Sequence, residues 1–94
     1  MKRREKSYPL TLLMAAPLEF PQYRRYLNGR NYFCFHSMDH FEELRGMGSK
    51  WLLENHTVKI LPDRNLVHDL LFDYEAIAEP IDAETYEKVR KLVL

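Results

Sequence analysis

The chain has 94 residues, 14 Lys/Arg against 14 Asp/Glu, 46% hydrophobic residues, 13% aromatic residues and one cysteine. A domain of that length buries roughly 65% of its unfolded surface, enough for one core without staples. This excludes a disordered tail and a disulfide scaffold, and the neutral total argues against a nucleic-acid coat protein with a strong positive field.

Charge is nevertheless unevenly placed. Residues 1–50 carry nine Lys/Arg against five Asp/Glu, and residues 51–94 carry five against nine. Residues 1–7 are polar and are expected to form a mobile basic arm, with residues 8–94 as a single α+β domain. Lys2–Lys6 followed by Leu10–Leu18 faintly resembles a secretory leader, but Pro9 and Pro17 interrupt the apolar run. No stretch approaches membrane-spanning length, so no membrane association is expected. A lone Cys34 suits a reducing compartment, and a cytoplasmic location is expected.

Residues 8–14 alternate as a strand, with Tyr8, Leu10, Leu12 and Met14 on one face. Phe20, Tyr23 and Leu27 recur at helical spacing, and Pro21 and Asn28-Gly29 suit a helix start and stop, so residues 20–28 read as a short helix. Residues 30–36 carry apolar groups on both faces, the pattern of an interior strand. Ser37 as N-cap, Asp39 in the first turn and Met38, Phe41 and Leu44 at helical spacing predict a helix ending near Gly46 or Gly48.

Residues 50–61 return to strand, either one bent strand or a hairpin turning at Asn55-His56. Residues 66–78 fit a helix with fewer exceptions than a strand, though both remain open. Pro80 ends that element, and Asp82 caps a C-terminal helix whose inner side is Ala83, Tyr86, Val89 and Val93. The expected fold is α+β: a sheet of three or four strands covered by short helices. Phe33, Phe35, Leu12, Phe41, Trp51, Leu70 and Val89 are the expected core.

Three constellations bear on chemistry. Cys34, His36 and His40 have metal-ligating side chains, but no Cys-x-x-Cys pair accompanies them, and a buried structural thiol is the expected reading. The carboxylates of the second half read as a solvated face. Arg24, Arg25, Tyr26 and Arg30 interleave cations with an aromatic ring, which suits phosphate contact and base stacking. If Arg24 and Arg25 merely solvate a helix, replacing both by Glu should cost within about 0.5 kcal/mol per site.

No catalytic constellation, cofactor or metal site is expected. The leading expectation is a small non-catalytic binding or regulatory module whose partner is another protein or a second copy of itself. A nucleic-acid-associated protein using Arg24, Arg25, Tyr26 and Arg30 is the alternative, and a small metal-binding protein the third.

Overall fold

The computed structural model describes residues 18–93. The expected strand over 8–14, with Leu12, and the arm over 1–7 lie outside them. Among the described residues the elements are β1 (Gln22–Tyr26), β2 (Asn31–Phe35), β3 (His40–Met47), β4 (Lys50–Thr57), α1 (Leu61–Phe72), β5 (Ala78–Pro80) and α2 (Ala83–Arg90). The strands form one antiparallel sheet of order β4-β3-β2-β1-β5. The α+β class and the C-terminal helix agree with the sequence reading, and the sheet has five strands rather than three or four.

Two expected helices are strands. Residues 22–26 pair with β2 in the register Tyr23↔Cys34 and Arg25↔Tyr32. Asn28-Gly29 is therefore a hairpin turn and not a helix stop. Gly29 takes φ 74, its amide donates to the Tyr26 carbonyl at 2.8 Å, and Asn28 Oδ1 accepts from the Arg30 amide at 2.8 Å. Ser37 likewise belongs to the turn before β3, where its Oγ accepts from the Asp39 amide at 3.1 Å.

The helical spacing of Phe41 and Leu44 has a simple origin. Strand β3 is buried on both faces, so Phe41 packs on one and Leu44 on the other. Apolar residues three apart then satisfy a strand as well as a helix. Gly48, at φ 62, and Ser49 close the tight β3–β4 hairpin, since Met47 pairs directly with Lys50. Strand β4 continues through Asn55-His56 without turning. Gly46 lies opposite Trp51, and a Cβ there would meet the Trp51 ring at 3.0 Å.

The ambiguous stretch resolves into both answers. Helix α1 starts earlier than expected, with Pro62 in its first turn, and ends at Phe72. Residues 78–80 are extended and place Pro80 on the sheet edge, where its missing amide does not interrupt the ladder. Asp82 caps α2 as expected, its carboxylate accepting from the Thr85 amide at 2.8 Å.

A helix covers each face of the sheet. On one face Val67, Leu70 and Leu71 of α1 pack on Phe33, Phe35 and Phe41. On the other, Tyr86 of α2 packs on Tyr32, Cys34 and Leu44, with Trp51 and Val89 partly buried around them. The expected core residues Phe33, Phe35, Phe41 and Leu70 are buried.

Candidate interaction edge and carboxylate–histidine cluster

The strand period divides the four residues proposed for phosphate contact. Arg24 and Tyr26 point to the α1 face, and Arg25 to the α2 face. Arg24 is only 5% exposed. Its Nε donates to the Leu70 carbonyl at 2.8 Å, its Nη2 reaches Leu71 O at 3.4 Å, and its Nη1 donates to Tyr23 O at 2.8 Å. The guanidinium also lies 4.6 Å from the Tyr74 ring centre.

Helix α1 has no basic residue in its own last turn, so β1 supplies the cation that its C-terminal carbonyls favour. Burial pulls the Arg24 pKa below its ordinary value. Arg25 donates to Glu79 through Nε at 2.8 Å and stands over the Tyr32 ring. Tyr26 packs edge-on against Phe33, with ring centres 5.0 Å apart. Arg30 is exposed and donates to the Gly46 carbonyl at 3.0 Å. The four do not form one patch.

Cys34 and His36 share the α2 face, with Sγ 3.9 Å from His36 Nε2. Cys34 is buried, and burial together with the Glu42 charge raises its pKa to about 11. His40 stacks on the His36 ring. Beside them Glu42 has a nearly buried side chain, 10% exposed. It accepts from Tyr86 Oη at 2.8 Å and Arg90 Nε at 2.9 Å, while His36 Nε2 lies 3.3 Å away. Burial alone would raise the Glu42 pKa, but these donors outweigh it and hold the carboxylate below its ordinary value. The same carboxylate and its own burial push the Tyr86 phenol up. This network pins α2 to β3.

The two ends of the sheet differ. Strand β5 is three residues long and carries Pro80, a protected edge. Strand β4 is eight residues long. The Gly46 amide donates to Arg30 O at 2.8 Å, toward β2, so its cross-strand partner Trp51 turns its own backbone groups away from β3. By the same alternation Leu53, Asn55 and Thr57 do so too. Among the described residues only a bridge from Val93 to Trp51 meets this edge. No proline, bulge or lysine interrupts residues 51–57. Leu52 and Met47 stand exposed next to it.

On the α1 face beyond the helix, β3 and β4 bring together Glu43, Glu54 and His56, whose donor atoms all lie within 4.8 Å of one another. Glu43 and Glu54 are direct cross-strand partners, and His56 pairs with Phe41. His56 Nε2 is 3.3 Å from Glu43 Oε1 and 3.4 Å from Glu54 Oε1. That nitrogen is out of solvent contact and makes no hydrogen bond. Asn31 Nδ2 donates to Glu43 Oε2 at 2.6 Å, and Arg45 Nη2 to Glu54 Oε1 at 2.8 Å. The Phe41 ring stacks on His56 at 4.8 Å.

The sequence reading missed this cluster. Its one local signal is Glu54-x-His56, which places two donors on one face of a strand, and a hairpin at Asn55-His56 would have destroyed it. Glu43 joins only through the β3–β4 register.

Comparison of the chain with protein-family models, curated proteins and solved structures finds no match. The fold itself defines a small α+β domain, a five-stranded antiparallel sheet held between two helices.

Proposed function

We propose that the chain is a small non-catalytic protein-interaction module, and that its binding element is the outer edge of β4. The observation that carries this reading is the row of outward-turned backbone groups at Leu53, Asn55 and Thr57. Edges of this kind accept a further strand through main-chain hydrogen bonds. The burial and raised pKa of Cys34 support a non-catalytic reading, because a neutral, enclosed thiol is a poor nucleophile.

The occupant is the β4 strand of a second copy. A two-fold axis at Asn55 pairs Leu53 with the second copy's Thr57, so the outward amides of Leu53, Asn55 and Thr57 each find a carbonyl. The same axis sets Glu54 directly opposite the second copy's His56, a favourable cross-strand pair. A formal net charge of zero leaves little long-range repulsion between copies.

Sedimentation across a concentration series tests this, with Asn55→Pro as the probe. Proline at an outward amide removes no bond to β3 but blocks the new ladder. The parent should show a concentration-dependent dimer, and the variant should stay monomeric with an unchanged circular dichroism spectrum. A parent that is monomeric at every concentration, or a dimer indifferent to the substitution, would overturn the reading.

A further inference from the structure

We propose that Glu43, Glu54 and His56 form a binding site for one divalent transition-metal ion of the zinc class, with a fourth position open to water or an external ligand. Two carboxylates and an imidazole are a donor set such ions accept. The two nitrogen–oxygen distances suit them. Zinc bonds of ~2.0–2.2 Å at a tetrahedral angle put donor atoms about 3.3–3.5 Å apart. His56 Nε2 lies 3.3 and 3.4 Å from the two carboxylate oxygens. The nitrogen is shielded from water and without a hydrogen bond, and a bound cation would satisfy it.

Supporting groups are already in place. Asn31 holds one Glu43 oxygen and leaves the other facing His56. Phe41 fixes the plane of the imidazole by stacking. Arg45 orients Glu54, whose carboxylate keeps further lone pairs for a metal. Two carboxylates neutralise a divalent ion, and the Arg45 guanidinium beside both of them adds repulsion that weakens the affinity. Glu54 and His56 are about one-third exposed, so an ion can reach the cluster from solvent. All three ligands belong to one chain, and dilute monomer therefore reports the site whether or not β4 pairs with a second copy.

The test is a titration of chelator-stripped full chain with Zn²⁺ by calorimetry and with Co²⁺ by visible absorption. One ion per chain is expected, with cobalt bands of tetrahedral intensity and a zinc-dependent shift of the His56 ring resonances in the unmodified protein. Glu43→Gln and His56→Gln should each weaken zinc more than tenfold, Asn31→Ala about tenfold, and His40→Gln not at all. Failure to bind zinc, an unmoved His56 resonance, or binding that survives His56→Gln and disappears in His40→Gln would overturn the proposal.

Discussion

Arg24→Met tests the central assignment of β1. The methionine keeps most of the apolar stem and deletes the guanidinium. That group donates to Leu70 O and Tyr23 O at 2.8 Å and faces Tyr74 at 4.6 Å. An orphaned buried carbonyl costs ~1–3 kcal/mol, a well-placed cation at a helix C-terminus is worth up to ~2 kcal/mol, and a desolvated cation–π contact about 1–2 kcal/mol. One guanidinium makes all of these contacts, so they overlap, and deleting a buried ion also removes its desolvation penalty. The net cost is about 3–4 kcal/mol. For a domain of this length that lowers Tm by roughly 12–30 °C. Arg25→Met is the matched control. Its ion pair with Glu79 is about one-third exposed, and its loss should cost at most about 1 kcal/mol. Thermal and urea unfolding followed by circular dichroism read both variants. A neighbouring pair of arginines with equal, small effects would refute the strand alternation that buries one and exposes the other.

Three further predictions follow from the α2 face. Glu42 has a depressed pKa when folded, so its contribution is present above the unfolded carboxylate value and is lost as pH falls through the folded one. Stability should therefore fall on acidification below about pH 4, and Glu42→Gln should flatten that limb; parallel acid limbs in urea titrations would contradict it. Tyr86→Phe removes a buried donor to the same carboxylate and should cost about 1.5–3 kcal/mol without changing the fold. Cys34, with its pKa raised to about 11, should react with a thiol reagent far more slowly in the native protein than after denaturation, and equal rates would place it at the surface.

Some of this protein is written locally. Asp82 caps α2 because a carboxylate three residues before Thr85 needs nothing from the rest of the fold. Tyr32 to Phe35 specify an interior strand through a run of apolar groups that demands cover on both faces. Gly and Pro positions mark turns and ends, although Asn28-Gly29 serves a hairpin as readily as a helix stop. The misreading of β3 has a physical cause. A strand covered on both faces loses its alternation, so Phe41 and Leu44 mimic a helix while packing on opposite sides.

What the tertiary structure alone decided is long-range. The role of Arg24 depends on the C-terminus of a helix 46 residues further on. Glu42 becomes a tightly held anion only once Tyr86 and Arg90 arrive on α2. Glu43, Glu54 and His56 converge through the β3–β4 register, and among the described residues β4 ends the sheet because β5 joins β1 at the opposite end. Local propensity and hydrophobic period specify which segments can be elements. Register, strand order and the partner of each buried charge emerge only when distant segments compete to bury the same apolar surface and satisfy the same backbone groups.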